Sequence, residues 1–256
     1  MDLSVITVTW NSGEKIERQM QSVALACQAI SWEQIVVDNN SADNTVSAVQ
    51  KFPGVKLIIN QENKGFGAAN NQAWREAVGR YILFLNPDMR AEAGSFDKLV
   101  RFMDTHPAAG IVGCKLVTEA GELNSATTPR RFPTLFNQMV IVSKLHHFFP
   151  QLLDKYRFAD FDAGRELAVS SVQGSFMLVR RELLNKLGWA FDPRYFIWFE
   201  DVDLCREAKR LGYKVIYTPS VSCVDYAGDS FKKRSTWWKQ KQFIKSMVKY
   251  FIKWGI

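Results

Sequence analysis

Through its first 117 residues the chain alternates β-branched apolar runs with segments of helical period, and few folds satisfy that alternation. Leu3 to Thr9, Ile35 to Val37, Val55 to Ile59, Tyr81 to Leu85 and Ile111 to Val117 read as strands. Asn11 or Ser12 is placed to cap a helix that carries Ile16, Met20, Val23 and Cys27 on one face. A short helix follows Asp38-Asn39-Asn40-Ser41, another runs from Gly67 to Val78, and Phe96, Leu99, Val100 and Met103 mark a fourth. This β-α order predicts an α/β fold, with a mostly parallel sheet covered by helices on both faces. In such a sheet, ligands gather beyond the carboxyl ends of the strands. Four polar clusters fall there: Thr9-Trp10-Asn11, Asp38-Asn39-Asn40, Asn63-Lys64-Gly65 and Asn86-Pro87-Asp88.

From 119 to 168 the alternation breaks down into a proline- and aromatic-rich stretch with no clear period, which predicts an irregular, mobile insertion. Val169 to Val179 reads as a strand interrupted at Gly174, and Arg181 to Leu187 as a short helix. An aromatic loop from Phe191 to Phe199 leads into a helix from about Glu200 to Leu211, and Lys214 to Tyr217 is a last strand before Asp225-Tyr226. The four cysteines lie far apart without a C-x-x-C pair, which fits a reducing compartment better than a zinc site or a disulfide framework. With neither a signal-peptide pattern nor an apolar run long enough to span a bilayer, a cytoplasmic protein is expected.

Charge is unevenly placed. Residues 232–256 hold eight of the 33 basic residues and no acid, which leaves 25 basic against 26 acidic residues in the body. Lys241, Lys245, Lys249 and Lys253 recur every fourth residue, opposite Phe243, Ile244, Met247, Val248, Phe251 and Trp254. This is a basic amphipathic helix. It suits an anionic membrane surface at the inner face of the plasma membrane, or packing against the body or a second copy. With a body this close to neutral, a nucleic-acid partner is not expected.

Several motifs carry chemistry. Asp38, at the tip of the second strand, can accept hydrogen bonds from a pyrimidine or a ribose, or simply cap the next helix. Gly65-Phe66-Gly67 follows the third strand with Asn70 where a dinucleotide fingerprint needs glycine, so a tight turn braced by Asn63 and Asn71 is the better reading. Asp88 stands where a divalent cation could bridge to phosphate, or where proline merely shapes a turn. Trp198-Phe199-Glu200-Asp201-Val202-Asp203 sets three acids beside aromatic surface, an environment that raises a carboxylate pKa toward that of a general base; acids in a first helical turn are also favoured by the helix dipole alone.

As a set, Ser4–Asn11, Val36–Ser41, Glu62–Asn71, Leu83–Asp88, Gly174–Arg181 and Phe199–Leu204 resemble inverting glycosyltransferase family 2, which has the GT-A fold. The branch most similar contains bacterial rhamnosyltransferases of polysaccharide assembly, in which N-P-D replaces D-x-D. The resemblance implies a nucleotide-sugar half at 1–117, an acceptor-binding and catalytic half at 118–231, and the tail at 232–256. It gives nucleotide binding to Thr9, Trp10, Asp38, Asn40, Asn63, Gly65, Asn71 and Asp88, and metal and diphosphate binding to Asp88. It makes Asp201 and Glu200 the catalytic acids, with Asp201 as the base, Glu200 and Trp198 lining the acceptor side, and Gly174 beneath the donor and acceptor sugars. Where relatives often carry a metal-ligating histidine after the last strand, this chain has Cys223-Val224-Asp225-Tyr226, so either Asp225 substitutes or Mg2+ or Mn2+ is held loosely. The implied donor is dTDP-rhamnose or a UDP-sugar, and the implied acceptor a glycan or polyprenyl-linked hydroxyl. A non-catalytic scaffold of the same fold would have no need of both Asp88 and Asp201. A dehydrogenase would need glycines where Thr9-Trp10-Asn11-Ser12-Gly13 stands.

Overall fold

The computed structural model describes residues 1–226 and 235–255, so Lys232, Lys233, Arg234 and Ile256 of the tail lie outside the described residues. Strands β1 (Leu3–Thr9), β2 (Trp32–Asp38), β3 (Val55–Ile59) and β4 (Tyr81–Leu85) pair in parallel in the order β3-β2-β1-β4. Between them run α1 (Gly13–Ala26), α2 (Thr45–Gln50) and α3 (Phe66–Glu76). Successive side chains of β1 and β4 enter opposite faces: Val5, Leu83 and Leu85 join one core with Val23, Phe96 and Leu99, while Ile6, Ile82 and Phe84 join another with Ala73, Phe191 and Leu204. Buried on both sides, these strands need the continuous apolar runs that the sequence carries.

Beyond β4 the sheet departs from the simple alternation. After β5 (Met89–Ala91), α4 (Ser95–Thr105) and β6 (Ala109–Val117), the chain returns much later as β8 (Phe176–Arg180), which inserts antiparallel between β4 and β6. The sheet order continues β8-β6-β9-β5 and is mixed on this side. The last strand, β9 (Lys214–Asp225), is far longer than the expected Lys214–Tyr217. Its register against β6 jumps from Cys114↔Thr218 to Lys115↔Ser222, because Pro219 has no N–H for the ladder and the strand bulges past it before pairing resumes. That resumption carries Asp225 to β5, opposite Met89.

Three further expectations change. Neither Asn11 nor Ser12 caps α1 with its side chain; the loop after β2 holds that end instead, with Ser41 Oγ, Thr45 Oγ1 and Asp43 Oδ2 accepting from the N–H groups of Asn11, Ser12 and Gly13. The strand expected over Val169–Val179 is confined to β8, preceded by the two-residue β7 (Leu167–Ala168). The supposedly irregular stretch contains α5 (Leu135–Val142), α6 (Asp154–Arg157) and 3-10 turns at Ser125–Thr127, Leu145–His147 and Pro150–Leu153.

Helices α7 (Arg181–Leu187) and α8 (Glu200–Arg210) lie close to their expected bounds. The tail forms α9 (Thr236–Trp254), which lies across the aromatic loop. Tyr250 and Phe251 are buried with Tyr195 and Phe199, and Phe243, Met247 and Trp254 pack around them, whereas Ile244 and Val248 from the same expected stripe stay exposed. Lys249 stays exposed while its Nζ donates to Arg194 O at 2.5 Å, and Lys253 turns inward, its Nζ 2.7 to 2.9 Å from Asp203, Asp192 and Glu207.

Candidate active site

A cleft of about 360 Å³ opens at the carboxyl ends of the parallel strands. Thr9 and Trp10 leave β1 into it, Asn39 leaves β2, Asn63 and Gly65 follow β3, and Asn86-Pro87-Asp88 follow β4. The opposite wall comes from the second half of the chain, with Gln173 and Ser175 before β8, Phe196 and Ile197 from the aromatic loop, Asp225 at the end of β9, and Trp238 on α9. Residues far apart in sequence meet because β8 pairs with β4, which sets Ser175 O to accept from Asn86 N–H at 2.9 Å.

Asp88 and Asp225 lie on the same part of this wall, since β5 pairs Met89 with Asp225 and Tyr226 N–H donates to Asp88 O at 3.1 Å. Two carboxylates at the cleft end of a buried sheet offer a hard oxygen pair that a ligand diphosphate could complete around a divalent cation. Among the described residues no cluster of three or more His, Cys, Asp or Glu side chains stands ready to hold a metal without such a ligand.

Asp201 stands behind Gly174, between the two cleft-lining residues Gln173 and Ser175. Its Oδ2 accepts from Gly174 N–H at 3.1 Å and its Oδ1 from Val202 N–H at 2.7 Å. A Cβ on residue 174 would lie 3.0 Å from Asp201 Cβ, so glycine permits the carboxylate to approach the backbone. Burial raises the Asp201 pKa, opposed by the two N–H donors and by the charge of Arg130. Glu200 is buried beside it. Burial, then the neighbouring Asp201, pushes its carboxyl well above the usual range, and among the described residues Glu200 Oε2 has no hydrogen-bond partner. Ser175, in the cleft wall, likewise has a buried Oγ without a hydrogen-bond partner among the described residues.

Gly65 adopts φ +87°, and a Cβ there would meet Phe196 O at 2.5 Å. This glycine lets the turn after β3 touch the aromatic loop, where Phe66 N–H donates to Phe196 O at 2.9 Å. Asn63 Oδ1 braces the turn by accepting from Gly65 N–H, and Asn71 ties α3 to the same loop through the backbone of Ala190 and Phe191.

Not every expected residue reaches the cleft. Asp38 is buried and accepts from Thr9 Oγ1 at 2.9 Å, Ser41 N–H at 2.9 Å and Ser41 Oγ at 2.5 Å, so it organises the turn while Asn39 faces the cavity. Asn40, at φ +64°, and Asn71 also lie off the lining. Trp198 packs edge-on against Phe243 of α9, and its neighbours Phe196 and Ile197 line the cavity instead. Thr127, Gln173, Ser175 and Trp238 also line it without having been singled out. Only their order beside Gly174 or within the tail hinted at them.

The family model described as glycosyl transferase family 2 matches residues 4–188. The N-acetylglucosaminyl-diphospho-decaprenol L-rhamnosyltransferase of Mycobacterium tuberculosis (strain ATCC 25618 / H37Rv) is 30% identical over 242 residues, covering 89% of this chain and 77% of that protein. Rhamnosyltransferase WbbL of Escherichia coli (strain K12) is 28% identical over 225 residues, 84% of this chain and 81% of its own. Among solved structures, mannosyltransferase PcManGT from Pyrobaculum calidifontis in complex with GDP-Man and Mn2+ superposes with a TM-score of 0.61 at 22% identity, covering 90% of this chain and 58% of that one. S. aureus TarS 1-349 in complex with UDP-GlcNAc gives 0.62 at 20% identity, with 92% and 62% covered. This chain thus spans less than two thirds of either solved chain, and at those identities the likeness is one of fold, the GT-A fold. With the family model running from the first strand through α7, the chain belongs to glycosyl transferase family 2 and is a glycosyltransferase.

Proposed function

We propose that this enzyme moves rhamnose from dTDP-rhamnose, with inversion, to a hydroxyl of a polyprenyl-linked glycan in bacterial surface polysaccharide synthesis. The observation that carries the reading is the pairing of β4 with β8. It brings Gln173 and Ser175, just before β8, to the cleft where β5–β9 pairing sets Asp225 near Asp88, and between those two residues Gly174 N–H holds Asp201. The nucleotide lies along Thr9, Trp10, Asn39 and Asn63, with its diphosphate toward Asp88.

The acceptor oxygen attacks the anomeric carbon from the side opposite the diphosphate; one C–O bond forms as the other breaks, and Asp201 takes the hydroxyl proton. Held by two N–H donors, Asp201 keeps a fixed orientation, and burial raises its pKa in the direction a base needs. Burial, then the neighbouring Asp201, favours the uncharged form of Glu200, which lessens charge repulsion beside the base. Asp88 and Asp225 would hold Mg2+ or Mn2+ together with the diphosphate, and the cation would neutralise charge growing on the leaving group. The PcManGT complex, which contains Mn2+, supports this use of the site. The two rhamnosyltransferase relatives support the sugar, and the decaprenol-linked name of one supports the acceptor class. No helix among the described residues is long and apolar enough to cross a membrane. A lipid-linked acceptor places the reaction at a membrane surface, to which the basic tail contributes.

The test measures transfer and donor binding together. Asp201→Asn should lower turnover by at least ~100-fold with donor affinity within about threefold of the parent; unaltered turnover would remove Asp201 from the base role. A larger thermal shift with dTDP-rhamnose than with UDP-sugars is expected, and the reverse order would discard the rhamnosyl assignment.

A further inference from the structure

Helix α5 is built inside out. Its polar residues Asn137 and Gln138 are buried with Val140, whereas Leu135, Phe136, Met139 and Val142 point away from the protein. Asn137 closes a capping box with Thr134 and accepts from Gln138 Nε2 at 2.7 Å, so the buried polar groups satisfy each other and the outward apolar face is a stable arrangement. The 3-10 turns that follow pack on α5 and continue that surface with Leu145, Phe148, Phe149 and Leu152. Phe136 and Met139 are each 60% exposed and Phe148 is 80% exposed. Exposed apolar side chains gathered on neighbouring elements in this way mark a binding surface.

We propose that this face, Leu135 to Leu152, is the membrane-docking surface of the enzyme, and that its partner is an anionic lipid bilayer entered to headgroup depth. Charge decides for lipid over a second copy of the chain. From Leu135 to Leu152 there is no acid, while Lys144 is present, and α9 also lacks acids. Two such faces would bring like charges together; anionic headgroups complement them. The position also fits. The segment springs from the cleft rim at Thr127, and Arg130 is bridged to Ser171 by paired backbone hydrogen bonds while its charge reaches Asp201. Docking by this face holds the cleft near the bilayer surface, and it makes α9, which spends much of its apolar side on the body, the lesser contributor.

Co-sedimentation of the full chain with vesicles tests this without any donor or acceptor, so failure here leaves the transferase reading standing. Vesicles containing phosphatidylglycerol should bind the protein more tightly than phosphatidylcholine alone, and salt should weaken the binding. The triple substitution Phe136→Ser/Met139→Ser/Phe148→Ser should weaken binding by at least ~10-fold at an unchanged melting temperature, against less than about threefold for Ile244→Ser/Ile252→Ser on α9. Phe148→Ser alone, at the most exposed position, keeps the test open if the triple variant does not fold, and should weaken binding by about threefold or more. No vesicle binding by the parent, or unchanged binding by these variants, overturns the proposal. So does a lipid-free dimer that the α5-face variant dissociates while vesicle binding persists.

Discussion

Lys253→Met should be among the most damaging single substitutions outside the cleft, by an amount the ion cluster bounds. Lys253 Nζ lies 2.7 Å from Asp203 Oδ2 and 2.9 Å from both Asp192 Oδ2 and Glu207 Oε1, with its side chain only 12% exposed. Asp192 also pairs with Arg194 and Glu207 with Arg210, so each keeps a cation in the variant. Among the described residues the cation beside Asp203 is Lys253, and Asp203 is 0% exposed. Removing one partner of a buried pair costs about 3 to 5 kcal/mol. At about 2 to 4 °C per kcal/mol for a chain of this size, the melting temperature should fall by roughly 6 to 20 °C.

The pH dependence gives a second reading. In the parent, burial lowers the Lys253 pKa but the carboxylates more than offset it, so the net shift is upward. A raised lysine contributes stability that is complete below its unfolded value of about 10.4 and is lost as pH climbs through the folded value. Burial raises the Asp203 pKa even with the lysine present, and losing the cation raises it further. A raised carboxyl destabilises the fold above its unfolded value of about 3.9, so the variant's deficit should be largest near neutrality and shrink on acidification. Thermal melts of parent and variant at neutral pH and near pH 5 would show this; a gap under about 2 °C, or one that widens on acidification, would refute the ion-cluster argument.

Gly174→Ala should lower kcat by about 10- to 100-fold with little change in melting temperature, since the added Cβ would press on Asp201 rather than on the core; equal losses of activity and stability in melts and initial rates would contradict this. Asp225→Ala should raise the divalent cation concentration needed for half-maximal turnover by at least about tenfold, measured by Mn2+ titration, and an unchanged requirement would take Asp225 out of the metal site. Because the Asp201 pKa is raised above its ordinary value, kcat should fall as pH drops through that raised value, and the limb should be absent from the residual rate of Asp201→Asn.

The parallel half of the sheet was legible because its strands are short, apolar on both faces and punctuated by polar turns; β3 and β4 fall on the expected residues. What pattern could not reach was pairing between distant segments. Nothing local in Phe176–Arg180 says that it enters between β4 and β6, and nothing local in Lys214–Tyr217 says that β9 resumes after Pro219 and returns Asp225 to Asp88. Asp38 was read for its place at a strand tip, but a tip residue faces either the cleft or the turn. Ser41, three residues on, drew its carboxylate inward. The tail's lysine period was read correctly as a helix, yet a period does not tell solvent from partner, and Lys253 found three carboxylates.

The three acids that open α8 show how one turn of helix divides its labour. Successive residues point about 100° apart, so Glu200, Asp201 and Asp203 enter different surroundings: a buried site that shuts out water, the Gly174 backbone, and the Lys253 cluster. The turn that delivers them is strained, for Trp198 and Phe199 both take left-handed backbone angles, φ +64° and +70°. For residues with a Cβ this costs about 1 to 2 kcal/mol each. Helix α9 supplies the compensation, because Phe243 meets both rings, Tyr250 meets Phe199, and Ser246 Oγ donates to Ile197 O at 2.7 Å just before the turn. The tail is therefore bound to the geometry of Asp201 whatever its relation to lipid. A segment whose composition suggests a detachable basic anchor works, by its contacts, as the clamp on the turn that delivers Asp201.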